Sequence, residues 1–146
     1  MRVLALSAFL VGLMVVMASA QVIPVFDRAR LYGTEAEFTR AIQPYQQAIQ
    51  ADARNARAHY WLGVAYFEVY LQSKSGFAPY ATGYLPRAIA SLSEAIKLDP
   101  NLLGAYGHLI DAHMIAGDFD KAEALRKQLQ ERTRRAWYTP GPAIGP

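Results

Sequence analysis

Apolar residues recur at helical spacing along most of the chain, with short polar breaks between the periodic segments. Thr34 and Glu37 match a capping box, which predicts a helix that ends near Asp52. Asn55 follows the next break and is expected to cap a second helix with a continuous apolar stripe. The pattern therefore predicts two helices in the first half of the protein.

Three more helices are predicted in the second half. Pro86 suits the first turn of the third helix, and Pro100 ends it because the residue before a proline resists helical dihedral angles. Asn101 and Asp118 are expected to cap the fourth and fifth helices, with Gly117 as the stop between them. The sequence therefore predicts an all-α protein.

The helical pattern also repeats along the chain. Ala41 and Ala48, which share one helix face, recur forty-seven residues later as Ala88 and Ala95. From Ala88 to Ala122 the shift is thirty-four residues. A period of thirty-four residues with helical patterning is the signature of tetratricopeptide repeats, which are antiparallel helix pairs stacked into a solenoid.

Two successive units carry that family's pattern of a large residue, a Leu-Gly pair or its equivalent, spaced alanines and a closing turn. The resemblance spans about residues 34–130 and implies a short α-solenoid of about two and a half units. Small residues at the shared positions are expected to let paired helices approach closely. The matching residues are His59, Leu62, Gly63, Tyr66, Ala88, Leu92, Ala95, Pro100, Tyr106, Leu109, Ile110, His113 and the turn at 117–122, with Phe38, Ala41, Tyr45 and Ala48 in a weaker first unit.

The middle unit departs from the family pattern by an insertion. Thirteen extra residues lie between Tyr66 and Gly83, where the family turns within a few residues. We expect an ordered surface loop there. It either binds a partner through the aromatic residues Phe77, Tyr80 and Tyr84, or folds back over an exposed end of the short stack.

The first helix of each pair lines a concave groove in proteins that this chain resembles. The family's set of Lys, Arg and Asn residues that grips a terminal carboxylate is missing here, so an apolar or aromatic protein segment is the expected occupant. Alternatively, residues 22–32, with a short helix expected over residues 24–32, cover the groove and close it. The resemblance places in the groove Arg57, Tyr60, Val64, Phe67 and Glu68 from one unit, and Gly104, Gly107, Asp111, Met114 and Ile115 from the next.

A small-ligand binding module is a second hypothesis for the function. Aromatic side chains stack on sugars and on aromatic compounds, and this chain has several near the insertion. The candidate stacking residues are Tyr60, Phe67, Phe77, Tyr80 and Tyr84.

The sequence lacks the residue patterns that are typical of an enzyme. His108 and His113 are five residues apart and point to different faces of one helix, whereas a zinc pair needs a spacing such as i, i+4. Asp118 and Asp120 suit an N-cap and the first turn of a helix. We therefore predict a protein without catalytic activity, cofactor or metal site.

Composition narrows the class of protein further. The chain has 146 residues, of which 53% are hydrophobic and 18% charged, as expected for one compact domain. A formal charge of +3 is too small to indicate nucleic-acid binding. Cysteine is absent, so the fold must be held by packing alone.

The first twenty residues resemble a secretory signal. Arg2 precedes an apolar run at 3–18, and Ala18-Ser19-Ala20 matches a signal-peptidase site, which predicts a mature chain from Gln21. A retained membrane anchor is the alternative, but this run is shorter than the roughly twenty residues that span a bilayer. We predict three parts: a signal at 1–20, a helical domain at 21–135 and a Pro/Gly-rich tail at 136–146.

The last predicted helix is basic, with six Lys or Arg residues against two acids over residues 121–135. It either contacts an anionic membrane surface or an acidic partner, or its arginines complement the helix dipole. The hypothesis that we favour is an exported bacterial scaffold, periplasmic, at the cell surface or secreted. It would bind a protein segment through its groove and inserted loop, as an accessory subunit of an envelope complex or by self-association.

Overall fold

The structure, a computed structural model, describes residues 22–137. In this range the chain forms five α-helices and one short 3-10 helix, without a strand. The all-α prediction is confirmed, while the predicted signal at 1–20 and most of the predicted tail at 136–146 lie outside the described residues. The elements are α1 (Glu35–Ala51), α2 (Ala56–Lys74), the 3-10 helix (Pro79–Ala81), α3 (Leu85–Leu98), α4 (Leu103–Ala116) and α5 (Phe119–Trp137).

The first two helices begin at the predicted caps. The Thr34 hydroxyl accepts a hydrogen bond from the Glu37 N–H at 3.3 Å, and the Glu37 carboxylate accepts one from the Thr34 N–H at 3.2 Å. The Asn55 side chain accepts a hydrogen bond from the Ala58 N–H at 3.0 Å. Each cap satisfies backbone donors that the first turn of a helix leaves without an internal partner.

The junctions of α4 agree with the sequence prediction at one end only. Asn101 was expected to cap α4, but Leu102 holds the cap position without a side-chain hydrogen bond. The Asn101 N–H donates to the Asp99 carboxylate at 2.9 Å, so Asn101 belongs to a local turn that precedes the helix. At the other end, Gly117 stops α4 in the left-handed conformation, with φ of 82°, as predicted.

Residues 22–33, here called the strap, do not form the short helix expected over 24–32. The Asp27 carboxylate accepts a hydrogen bond from the Ala29 N–H at 3.1 Å, and the Asp27 carbonyl accepts one from the Tyr32 hydroxyl at 3.1 Å. These bonds hold a turn in place of helical hydrogen bonds.

The strap packs into the core although it is irregular. Phe26 and Tyr32 are both buried, and their rings stack with centroids 5.1 Å apart. The Gln72 side chain in α2 accepts a hydrogen bond from the Tyr32 N–H at 3.0 Å and donates one to the Arg30 carbonyl at 2.9 Å. The strap therefore covers the N-terminal end of the helical stack, where the first unit lacks a helix partner.

α2 is the central helix of the domain. It packs against α1, α3, α4 and the 3-10 helix, so residues 62–67 are buried on every side of the helix. Gly63 allows the closest of these contacts, because a Cβ added there would lie 2.7 Å from the Leu92 Cγ atom of α3. The predicted role of this glycine in helix packing is thereby explained.

Most of the insertion folds back onto the domain. α2 extends to Lys74, and Gly76 then turns the chain with φ of 83°. Ala78 and Ala81 are fully buried, and the 3-10 helix lies against α2. Within residues 22–137, no helix combines the length and the apolar character that a membrane crossing requires.

Candidate functional site

A depression of about 400 Å³ lies between α2 and α4, with the strap at one edge. It is here called the groove. Most of the lining residues lie in the second halves of the two helices, so the groove opens toward their C-terminal ends. Its lining residues are Arg28, Phe67, Glu68, Leu71, His108, Asp111, Met114 and Ile115.

The apolar part of the groove is accessible to solvent. Met114 and Ile115 are 42% and 46% exposed, and they are neighbours on α4. Phe67 is largely buried and Leu71 half-buried beneath them. A stretch of exposed apolar surface with a polar rim is typical of a protein-binding site.

The charged rim of the groove has one paired acid and one acid outside any ion pair. The Arg28 guanidinium of the strap forms an ion pair with the Glu68 carboxylate of α2. Asp111 is exposed on α4 and forms no ion pair with the residues that the structure describes. The charges of Arg28 and Glu68 cancel each other, so the net charge of the groove is negative because of Asp111.

His108 joins the apolar and polar parts of the groove. Its ring lies edge-on to Phe67, with centroids 6.2 Å apart, and edge-on to Tyr60 at 5.8 Å. Its Nδ1 atom lies 3.0 Å from the Gly104 carbonyl oxygen. Because a carbonyl oxygen can only accept, Nδ1 carries the proton, and Nε2 of the neutral ring is left as an acceptor.

Tyr60 lies against the start of α4, outside the groove lining. Gly104 leaves space for its hydroxyl, since a Cβ there would lie 2.9 Å from the Tyr60 oxygen. Burial raises the pKa of Tyr60, and the positive charge of Arg28 opposes this shift. Tyr60 therefore stays neutral at ordinary pH and serves the packing of α2 on α4.

The predicted groove residues fall into two groups. Phe67, Asp111 and Met114 line the observed groove, as do Glu68 and Ile115. Arg57, in the first turn of α2, is exposed but lies outside the lining. Val64 has no exposed surface, which corrects its expected place in the lining, because the neighbours of α2 cover this side of the helix.

The predicted binding residues of the insertion also separate. Phe77 is 54% exposed in the turn after α2. Tyr80 and Tyr84 pack with Phe38, at centroid distances of 6.3 Å and 5.7 Å, and Tyr84 is only 8% exposed. The expected surface position is therefore wrong for Tyr84, because its ring packs against Phe38 of α1 and Tyr66 of α2.

The aromatic residues of the small-ligand hypothesis do not form one surface. Tyr60 and Phe67 lie beside His108 in α4, whereas Tyr80 and Tyr84 pack with each other at 6.1 Å in the cluster around Phe38. Hydrogen bonds hold the second pair in place, from the Tyr80 hydroxyl to the Tyr32 carbonyl at 2.9 Å and from the Tyr84 hydroxyl to Glu35 at 3.0 Å. The five rings cannot stack together on one ligand in this arrangement.

The histidines and acids near Gly117 have structural roles. The buried His113 ring donates from Nδ1 to the Asp118 carboxylate at 3.0 Å, and Lys121 donates to the same carboxylate at 3.2 Å. These hydrogen bonds lower the pKa of Asp118 and tie the end of α4 to the start of α5. Across residues 22–137, no three side chains of the His, Asp or Glu type are grouped as metal ligands.

The basic end of α5 is largely paired within the helix. Arg134 and Arg135 both donate to the Glu131 carboxylate, and the Arg132 guanidinium lies over the Tyr106 ring at 5.7 Å. A wide depression beside these residues is lined by Arg132, Arg135 and Ala136, close to residue 137, where the described part of the chain ends. Contact of this end with a membrane stays a prediction.

Three groove residues were missed by the sequence analysis. Leu71 lies one turn after Phe67, and His108 lies one turn before Asp111, so helical spacing would have found both. Arg28 had no such signal, because its position depends on the irregular path of the strap.

Comparison with known families agrees with this architecture. A family model for the TPR repeat matches residues 37–69, which include most of α1 and the first three-quarters of α2. No curated protein matches the chain. The match and the stacked helix pairs support the assignment of this chain to the tetratricopeptide repeat family, as predicted. Repeats of this family generally mediate protein–protein interactions and are typically not enzymes.

Proposed function

We propose that this protein is a non-enzymatic scaffold that holds a segment of a protein partner in the groove between α2 and α4. The observation that carries the proposal is the exposed pair Met114 and Ile115, supported from below by Phe67 and Leu71. Removing exposed apolar surface of this kind from water contributes a favourable free energy to the binding of a partner.

The insertion supplies a second contact in this proposal. Phe77 follows the last turn of α2, its N–H donating to the Gln72 carbonyl at 3.0 Å. Leu71 lies in the same turn and lines the groove. A partner segment that leaves the groove at this end reaches Phe77 within a few residues.

We further propose that the protein is exported and serves as an accessory subunit of an envelope assembly. The apolar run at 3–18 and the small residues at 18–20 support export. Intact-mass measurement of the protein recovered from the exported fraction tests this part. A chain that begins at Gln21 is expected, and a full-length chain confined to the cytoplasm would refute export.

Site-specific photo-crosslinking tests the binding site. A photoreactive residue is placed at Met114 in the groove, at Phe77 in the insertion or at Ser93 on the exposed side of α3. The positions Met114 and Phe77 are expected to capture the same protein in producing cells, and the control at Ser93 is expected to capture none of it. Equal capture at all three positions, or none at Met114, argues against the groove as a partner site.

A further inference from the structure

We infer that the groove selects a partner segment in which a Lys or Arg side chain lies next to a large apolar side chain, with Asp111 accepting the cation. The inference rests on the proposed function and adds to it the charge of the occupant. The charges and hydrogen-bond acceptors that line the groove support this inference.

Asp111 has the position that such a cation requires. It lies three and four residues before Met114 and Ile115 on α4, so its carboxylate shares their face of the helix. Among residues 22–137 it has no ion-pair partner, and it is exposed. An apolar side chain placed on Met114 therefore brings a neighbouring cation within reach of the carboxylate.

His108 adds a second acceptor on the same stripe. It lies one turn before Asp111, and its Nδ1 proton is engaged by the Gly104 carbonyl. The remaining nitrogen, Nε2, accepts hydrogen bonds in the neutral ring. An ammonium or guanidinium group can donate to both side chains, whereas a carboxylate finds only acceptors there.

The single cation of the groove is already engaged. Arg28 forms its ion pair with Glu68, whose side chain is mostly buried with 14% of its surface exposed. An acidic partner segment would have to compete with Glu68 for Arg28 and would also face Asp111. Charge complementarity therefore favours a cationic segment over an anionic one.

Three synthetic peptides with blocked ends test the inference on the purified chain. Each has seven residues with two central leucines, followed by Lys, Gln or Glu. Calorimetric titration is expected to rank the affinities in the order Lys, Gln, Glu, with about a threefold difference at each step, since exposed charge pairs are weak. Raising the salt concentration should reduce the differences.

Charge variants assign the preference to a residue. Asp111→Asn is expected to remove the difference between the Lys and Gln peptides, and Asp111→Lys is expected to reverse the order. Asp120→Lys makes the same charge change on an exposed position of α5, outside the groove, and should keep the original order. Thermal melts verify that each variant is folded.

Each outcome decides the inference. Equal affinity for the three peptides, an order unchanged by Asp111→Lys, or no detectable binding of any peptide at about 1 mM overturns it. The capture of a protein at Met114 by photo-crosslinking decides the proposed function separately. If the groove captures a protein but the three peptides show no charge preference, the proposed scaffold function stands and the inference of a cationic partner segment is refuted.

Discussion

Single residues at the helix crossings determine how closely the helices of this protein approach one another. A Cβ atom at Gly63 would lie 2.7 Å from the Leu92 Cγ atom and 3.0 Å from the Leu92 backbone nitrogen. At Gly107, in the interior of α4, an added Cβ meets no atom within 4 Å. An added side chain would therefore collide with a neighbouring helix at Gly63, whereas it would have open space at Gly107.

We predict opposite effects for alanine at these two positions. Gly63→Ala should lower the free energy of unfolding by about 1–3 kcal/mol, because the backbone of α3 has to move away. Gly107→Ala should be neutral or raise it by up to about 1 kcal/mol, because alanine favours the helix. Urea unfolding of both variants measures the difference, and equal stabilities would mean that α2 and α3 are not in close contact at Gly63.

Two tyrosines that pack in the core, Tyr45 and Tyr80, make the stability of the folded protein decrease at alkaline pH. Burial raises the pKa of Tyr45 to about 12, with a smaller contribution from Tyr32. Burial also raises the pKa of Tyr80 to about 12, and the nearby Tyr84, Glu35, Glu37 and Tyr32 add to the shift. The folded protein therefore keeps these phenol protons at a pH where the unfolded chain releases them.

We predict that the contribution of these tyrosines to stability is complete below pH 10 and is lost as the pH rises from 10 through about 12. Urea unfolding at a series of pH values measures this loss. The double variant Tyr45→Phe and Tyr80→Phe should show a shallower decrease over the same range. Lysine residues titrate in both proteins, so the difference between the two curves isolates the tyrosines, and identical curves would contradict the prediction.

Among the elements, the strap shows how an irregular segment completes a helical stack. The Gln72 side chain accepts a hydrogen bond from the Tyr32 N–H and donates one to the Arg30 carbonyl. These two backbone groups have no helical hydrogen bond, because the strap is irregular. The stacked rings of Phe26 and Tyr32 fill the remaining space. The strap and α2 are therefore joined by both hydrogen bonds and packing.

We predict that Gln72→Ala lowers the free energy of unfolding by about 1–2 kcal/mol, because it leaves the part-buried Tyr32 N–H without its partner and removes the bond to the exposed Arg30 carbonyl. Hydrogen exchange at the Tyr32 amide should also become faster than in the wild type. Gln43→Ala, at an exposed position of α1, is the matched control and should change neither quantity. Unchanged exchange at Tyr32 in Gln72→Ala would contradict the role given to Gln72.

At the scale of the whole molecule, the helices form a linear array in which each packs mainly on its neighbours in the chain. α2 and α3 lie in the middle of the array and share their tightest contact at Gly63. α5 lies at one end and packs mainly on α4, with Ala122 as its fully buried residue. Local stability should therefore vary along the array.

We predict the slowest amide hydrogen exchange in α2 and α3, and the fastest helical exchange in the second half of α5. The reason is that opening α5 breaks contacts with one helix, whereas opening α2 breaks contacts with several. Exchange followed by mass spectrometry measures this order. Equal protection of α5 and α2 would indicate that a partner or a second copy covers α5.

Local signals in the sequence were enough to place most of the elements. Thr34, Asn55, Pro86 and Gly117 each act on the backbone within a few residues, and each marks a helix end in the structure. The predicted cap at Asn101 was wrong, because the cap position of α4 lies one residue later, at Leu102, and the Asp99 carboxylate holds the Asn101 N–H in the preceding turn. Local turns of this kind can shift the start of a helix by one residue, which the pattern of polar residues does not show.

The sequence by itself determined the class of fold, the helix pairs and the close approach at Gly63, because these depend on periodic patterns and on local backbone chemistry. The tertiary structure corrected and completed the lining of the groove, for which Phe67, Asp111 and Met114 were already expected from the sequence. Val64 and Tyr84 are covered by neighbouring elements, and Arg28 reaches the groove through the path of the strap. A groove is the surface that remains after all elements have packed, so a helical pattern identifies candidate lining residues and only the packing decides which of them stay uncovered.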